Sequence, residues 1–394
     1  MKRVLFVSNL YAPNVVGGAE LTLQTLAEEL LRLGHAVEVV CLAVDGTEST
    51  DSVGGVTVRR LVANRQHGPF HRRKSTLARL QWHLGDVYNR IMGERVAQLI
   101  DRFAPDVVST HNLGGFSIAV WDVVHARGIR LLHTLHDYYL LCPRVTMFKN
   151  GRNCDGKCAS CGAFSLPKRR KSALVDVVIG VSRYVLDKHV QRGFFANAQH
   201  TVIYNARKWD RPPPETAGTG EPRPLRIGYI GRIEAAKGIE VLLAAVARLA
   251  PEAWQLRIAG KAPDAAYREE LQRRYPLPQI EYLGFLKPED FYRSVDLVVI
   301  PSIWNEPLGV VAYEAMGFGR PVIAARRGGL PEMVEGTGAG WLFEPTDVEE
   351  LRGLLARAAA EPGLLAAMRD ACLRQRQLFL PEIQAREFVA ALGP

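Results

Sequence analysis

Short continuous apolar runs alternate along this chain with stretches whose apolar positions recur every three or four residues. A run of about four to eight apolar residues fits a strand buried on both faces, and the second spacing fits a helix packed along one side. Strands are therefore predicted over 4–8, 37–42, 56–61, 107–110, 129–134, 175–181 and 202–203. Leu23, Leu26, Ala27 and Leu30 line one face of a predicted helix over 19–33, which Gly34 ends. Residues 77–103 carry one long helical pattern. The alternation stops at 207–224, where Pro212, Pro213 and Pro214 sit among several glycines. Such a segment suits neither helix nor central strand and reads as a linker. The pattern then restarts, with strands over 225–230, 254–259, 280–283, 297–301, 322–325 and 341–343. Helices are expected over 238–249, 267–275, 288–294, 310–317 and most of 348–378.

Strands joined by helices make a parallel, doubly wound sheet. The expected fold class is α/β, with two Rossmann-like doubly wound domains, 1–206 and 225–379, facing across a cleft. The segment 380–394 is expected to cross back onto the first domain. Clefts of this kind are usual ligand sites.

Composition narrows the partners. No apolar run approaches the roughly 18 residues that span a bilayer. The opening stretch, MKRVLFVSNLYAPN, lacks the longer apolar core and small-residue cleavage site of a signal peptide, so a cytoplasmic location is expected. Residues 1–210 carry 28 basic and 17 acidic side chains, a balance of +11, and the remainder carries 22 and 24, a balance of −2. The excess concentrates at 71–74 (HRRK) and 168–171 (KRRK). A solvated face, an anionic membrane at its inner surface and a phosphorylated acceptor all suit such charge. Nucleic acid is not expected, because no aromatics alternate with the basic residues and no nucleic-acid motif is present.

Two motifs carry the chemistry. In Gly231-Arg232-Ile233-Glu234-Ala235-Ala236-Lys237-Gly238 a strand ends and a helix begins. A helix start favours phosphate, Arg232 offers a planar fork and Lys237 a point charge. The order of a Walker A loop is absent. In the second motif, Glu306 and Glu314 stand eight positions apart around the opening of a helix, whose Gly309 and Val310 N–H groups suit phosphate. A carboxylate accepts two sugar hydroxyls well, so one Glu suits a hexose and the other a ribose. His136 follows the predicted strand 129–134, beside Asp137, and His111 ends the strand 107–110. Each histidine reads either as a packed, hydrogen-bonded side chain or as a group facing the cleft.

At these residues the chain resembles the large retaining glycosyltransferase family of the GT-B fold, family 4, also described as glycosyl transferases group 1. The shared elements are the Gly17-Gly18-Ala19-Glu20 loop, the Gly231–Gly238 loop, Pro301-Ser302, the Glu306/Glu314 pair, Gly319-Arg320-Pro321-Val322 and Gly328-Gly329-Leu330-Pro331-Glu332. The resemblance implies a nucleoside-diphosphate sugar donor and no catalytic divalent cation. It places Arg232 and Lys237 on the diphosphate, Glu314 on the ribose and Glu306 on the transferred sugar. Gly17 and Gly18 would approach donor and acceptor, and His136 would point near the sugar. From their own positions, Asp137 is expected to orient His136 or contact the acceptor, and His111 to face the cleft on the acceptor side. The basic first half points to the expected acceptor, a glycan or lipid-linked molecule of cell-surface polysaccharide synthesis. A GT-B epimerase or phosphorylase, or a non-catalytic nucleotide-sugar binding protein, shares the architecture. A dehydrogenase does not fit, since no GxGxxG follows the first strand.

Cys142, Cys154, Cys158 and Cys161 fall within twenty residues directly after His136. Four thiolates can close a structural zinc shell, although the spacing is not two CxxC pairs. Free buried thiols and a redox or iron–sulfur role are the other readings. Cysteine-bearing inserts of this kind occur in a subset of the family that the chain resembles.

Overall fold

The computed structural model describes residues 1–63, 76–156, 158–209 and 223–393. The chain divides into two compact units: Met1–Met147, Cys154–Arg207 and Leu380–Pro394 form the first, Phe148–Asn153 and Lys208–Phe379 the second.

The first unit holds a sheet of β1 (Arg3–Val7), β2 (Ala36–Leu42), β3 (Ser49–Val53), β4 (Val56–Leu61), β5 (Val107–Thr110) and β6 (Arg130–Leu135), completed by two later strands. A small hairpin of β7 (Phe148–Lys149) and β8 (Arg152–Asn153) intervenes and belongs to the second unit. The sheet ends with β9 (Val177–Gly180) and β10 (Gln199–Val202). Its order is β10-β9-β6-β5-β1-β2-β4-β3. All neighbours run parallel except β3 and β4, which are antiparallel. Chain direction across the sheet reverses at β1, which pairs with β2 on one side and with β5 on the other, Val7 opposite Thr110. The helix Gly18–Arg32 lays Leu23, Leu26 and Leu30 on Val4 and Phe6 in one buried cluster. Burying each such side chain contributes about 1.5–3 kcal/mol.

The second unit repeats the plan with β11 (Leu225–Ile230), β12 (Trp254–Ala259), β13 (Ile280–Gly284), β14 (Leu297–Ile300), β15 (Val322–Ala325) and β16 (Gly340–Phe343). The order is β13-β12-β11-β14-β15-β16, wholly parallel, and the reversal falls between β11 and β14.

Several expectations need correction. The pattern over 77–103 forms two helices, Thr76–Val87 and Arg90–Phe103. Asn89 breaks them apart, donating its N–H to the Ser117 hydroxyl at 2.6 Å and its amide to the Gly115 carbonyl at 3.0 Å. The helical run 348–378 likewise splits into Val348–Ala360 and Pro362–Arg376, because the residue before a proline is disfavoured in helical geometry and Glu361 stands at φ −122°, ψ 68°. Strand β3 is added at the edge, where its polar sequence gives no period-two signal. Of the two basic runs, 71–74 lies outside the described residues, as do 210–222 of the linker. The run 168–171 is not a wholly solvated face: it ends the helix Ala159–Lys171, Lys168 is buried, and Lys171 pairs with Asp122 at 2.6 Å.

Candidate active site

In an open parallel sheet, ligands bind beyond the carboxyl ends of the strands where the order reverses. In the second unit that point is the end of β11 beside the end of β14, and both motifs of interest start there. Gly231 leaves β11 at φ 151°, a conformation open to glycine. Arg232 follows, more than half exposed, with its guanidinium 2.9 Å from Glu234. Tyr229 donates from its hydroxyl to the Arg232 carbonyl at 2.8 Å and so fixes the turn. A short 3-10 turn, Ala235–Lys237, then delivers Lys237 inward. Gly238 stands at φ 68°, and a Cβ there would run into the Pro301 carbonyl at the end of β14.

This close approach brings Lys237 and Glu306 together. The ammonium lies 2.6 Å from Glu306 Oε1, with both side chains largely buried. The Ser302 hydroxyl is 3.0 Å from the same oxygen, and the ammonium sits 4.7 Å from the centre of the Trp304 ring. The Ala236 carbonyl accepts from the N–H groups of Ile303 and Trp304, stitching the Lys237 turn to the Glu306 loop. Gly328 and Gly329 underlie Glu306: a Cβ on Gly328 would strike the Glu306 backbone, and Gly329 donates its N–H to the Glu306 carbonyl at 2.8 Å.

Glu314 sits inside the helix Val310–Gly317, only 6% exposed, and accepts from the Tyr292 hydroxyl at 2.9 Å. Gly309, at φ 99°, caps that helix, so the N–H groups of Val310 and the next residue precede its first internal bond. Sequence reasoning missed Tyr292, which reads there as one more apolar position of a short helix. It also missed Asn153. From β8, the Asn153 amide donates to the Ile303 carbonyl at 2.7 Å and accepts from the Asn305 N–H at 2.9 Å, bracing the loop just before Glu306. No sequence signal marks a bond between residues so distant along the chain.

In the first unit the reversal falls between β1 and β5. Beyond β1, Gly17 caps the helix Gly18–Arg32 in extended geometry and donates its N–H to the Glu20 carboxylate at 2.8 Å. Burial raises the Glu20 carboxyl above its ordinary value. Beyond β5 and β6 stand His111 and His136, with His111 Nδ1 2.8 Å from His136 Nε2 and the rings stacked. Burial holds both imidazoles below their ordinary range, His136 down to about 4. Asp137 accepts from the Tyr139 N–H at 2.8 Å, and burial lifts its carboxyl to about 6. Buried Lys168 donates to the Tyr139 carbonyl at 3.1 Å and caps the Tyr139 ring, and burial lowers it to about 8.

Among the described residues the cysteine stretch shows no arrangement that supports the expected zinc shell. Cys142 and Cys161 approach to 3.7 Å between sulfurs, while exposed Cys158 precedes the helix Ala159–Lys171 and turns to Ser160 at 3.3 Å. Hydrogen bonds from Ser160 and Cys161 lower the Cys158 thiol to about 7, and burial pushes Cys161 up. Cys154 is half-buried. Among the described residues, no group of three or more His, Cys, Asp or Glu side chains is arranged to hold a metal ion.

Residues 16–208 match the Glycosyltransferase Family 4 model, and 224–360 match glycosyl transferases group 1. A Klebsiella pneumoniae protein described as an uncharacterized 42.6 kDa protein in a cps region is 33% identical over 331 residues, 84% of this chain and 87% of that one. An uncharacterized glycosyltransferase of Methanocaldococcus jannaschii is 27% identical over 84% of this chain and 83% of its own. Among solved structures, sucrose-phosphate synthase from Thermosynechococcus elongatus superposes with a TM-score of 0.78 at 22% identity, covering 99% of this chain and 98% of that one. HepE of Anabaena, in complex with UDP and glucose, gives 0.71 at 21% identity, covering 100% and 99%. Two Rossmann-like units with polar side chains at each reversal point thus define a glycosyltransferase of the GT-B class. Within that class, the chain belongs to the group 1, family 4 glycosyltransferases.

Proposed function

We propose that this chain is a retaining hexosyltransferase. It moves a hexose from a nucleoside-diphosphate sugar to a glycan or lipid-linked acceptor in cell-surface polysaccharide synthesis, without a catalytic divalent cation. The observation that carries this reading is the largely buried pair of Lys237 and Glu306, 2.6 Å apart beside the Arg232 turn at the carboxyl end of β11. A cation there meets the charge that grows on a departing nucleoside diphosphate, and the low-dielectric setting strengthens it. Arg232 adds a two-pronged contact to the same phosphates. Glu314, steadied by Tyr292, suits ribose hydroxyls, while Gly309 and Val310 offer helix-start N–H groups. In the first unit, Gly17 and Gly18 bring bare backbone toward the substrates, His136 serves the sugar, and Asp137 serves the acceptor.

Glu306 Oε1 already lies within hydrogen-bonding distance of Lys237 and Ser302. An oxygen so occupied is a weak nucleophile, which favours hydroxyl binding over attack on the anomeric carbon. Retention then follows from a same-face displacement in which the departing phosphate takes the acceptor's proton. The Klebsiella relative described as lying in a cps region supports the polysaccharide setting. The balance of +11 over residues 1–210 supports an acceptor presented at an anionic membrane surface.

Thermal-shift measurement against UDP-, GDP-, ADP- and dTDP-sugars identifies the donor. UDP-glucose is the first probe, since HepE is described in complex with it. Turnover of that donor should survive chelation by EDTA, and Lys237→Ala should lose about 10²–10³ of the rate. Near-full activity of Lys237→Ala would remove the phosphate assignment. A glycosyl adduct trapped on Glu306 would replace the same-face mechanism with a double displacement.

A further inference from the structure

The two histidines at the ends of β5 and β6 are linked to a third side chain. Ser109 lies within β5 and is fully buried, and its hydroxyl is 3.3 Å from His111 Nε2. His111 is itself 4% exposed, and its Nδ1 reaches His136 Nε2 at 2.8 Å. Phe6 meets the His111 ring edge-on, with centroids 5.4 Å apart, which holds the imidazole plane. The chain of contacts ends at His136 Nδ1, which is buried and has no partner among the described residues.

Two proton arrangements satisfy these distances. In one, Ser109 donates to His111 Nε2, His111 donates from Nδ1 to His136 Nε2, and His136 carries its proton on Nδ1. In the other every bond is reversed, and the Ser109 hydroxyl hydrogen is left without an acceptor at a fully buried position. An unmet buried donor is the rarer and costlier fault. The first arrangement leaves one unmet group, the buried His136 Nδ1–H, which a substrate oxygen can satisfy, whereas the second leaves both the Ser109 hydroxyl hydrogen and the His136 Nδ1 lone pair unmet.

We propose that Ser109 and His111 form a positioning relay that fixes His136 as the neutral Nδ1–H tautomer, aimed as a hydrogen-bond donor at a hydroxyl oxygen of the transferred hexose. This rests on the reading that His136 serves the sugar. Neither Ser109 nor His111 touches substrate. Burial keeps both imidazoles neutral near pH 7, so the pair donates without carrying charge. His111 thereby leaves the acceptor role that the sequence suggested for it.

The test uses the full chain and reads two quantities. Long-range ¹H–¹⁵N spectra of the imidazoles, with His136 assigned through His136→Gln, report its tautomer without substrate. The wild type should show Nδ1 protonated. His111→Phe, which removes the donor, should shift His136 toward Nε2–H, and Ser109→Ala should give a mixture. His111→Asn, whose amide nitrogen falls near the lost Nδ1, should restore the Nδ1–H form. With UDP-glucose as the probe donor, His111→Phe should lower kcat by about 10–100-fold, the cost seen when a metal-ligating histidine loses the partner that orients it. KM should change less than kcat, and His111→Asn should recover part of the rate. A wild-type His136 already protonated on Nε2, or a tautomer indifferent to His111→Phe, Ser109→Ala and His111→Asn alike, overturns the relay. An unaltered kcat in a His111→Phe variant whose tautomer has changed overturns its part in transfer. Failure of the wild type to turn over any nucleotide sugar sinks the functional reading instead and leaves the tautomer result standing.

Discussion

His136 and Asp137 are adjacent in the chain, yet their protonation pulls stability in opposite directions. Burial lifts the Asp137 carboxyl from 3.8 to about 6, so between those values the folded protein holds a proton that the unfolded chain has lost. That contribution falls as pH rises. Burial lowers His136 from 6.5 to about 4, so across nearly the same window the unfolded chain holds the extra proton, and that contribution grows as pH rises. Burial also holds His111, His133 and His189 below the ordinary range, and they act with His136. Stability should therefore increase from pH 4 to 6.5, with Asp137 blunting the slope. Asp137→Asn removes the blunting, so urea denaturation at intervals across this window should give a steeper rise than in the wild type. Equal slopes would mean that Asp137 titrates as an ordinary surface carboxylate.

Glycines at strand ends decide whether the elements can meet. Gly238 combines φ 68° with a position where an added Cβ would run into the Pro301 carbonyl. Gly238→Ala should push the Lys237 turn away from the end of β14, costing about 2 kcal/mol or more in stability. Activity should fall beyond what stability explains, because the Lys237–Glu306 distance opens. Unchanged kcat in a destabilised Gly238→Ala protein would separate the turn from the chemistry. Elements of this kind were largely legible in sequence: apolar runs such as Val4–Val7 and Leu297–Ile300 fit buried strands, and the loops after β11 and β14 were marked by Gly231, Gly238 and Gly309. Strand β3 was not legible, since Ser49–Val53 draws its order from antiparallel pairing with β4 rather than from burial. The Asn89 break was hidden because long-range bonds to Gly115 and Ser117 stop the helix, not a local breaker. At the site, residue types announced Glu306, Glu314 and Lys237. Tyr292, which holds Glu314, and Asn153, which braces the Glu306 loop, act through tertiary distance, which spacing cannot encode, whereas Ser302 lies four residues before Glu306 in an element the sequence already marked. The zinc expectation finds no support among the described residues, where no group of three or more His, Cys, Asp or Glu side chains is arranged to hold a metal ion.

At the scale of the whole molecule, chain order and structural order part company. The first unit opens the chain, but its core is completed by the last helix, Pro381–Leu392. Ala385, Phe388, Ala391 and Leu392 share a buried cluster with Val4, Phe6, Leu26 and Leu30. The rings of Phe6 and Phe388 lie 5.6 Å apart, and Arg130 donates to the Ala391 carbonyl at 3.4 Å. Phe6 also steadies His111, so the terminal helix backs the strand beneath the histidine relay. Losing Phe388 alone should cost about 3–5 kcal/mol, and deleting 380–394 should remove that together with the neighbouring contacts. The expected consequence is uneven. Hydrogen exchange read by mass spectrometry should show β1, β5 and the helix Gly18–Arg32 losing protection in the deletion, while peptides from β11, β12 and β14 keep theirs. Phe388→Ala should produce the same pattern more mildly, and nucleotide-dependent protection around Lys237 should persist in both. Equal loss in the two units would mean that they unfold as one cooperative body. No loss in β1 would make the terminal helix an appendage, and the packing against Phe6 would then contribute nothing to the fold that holds His111 in place.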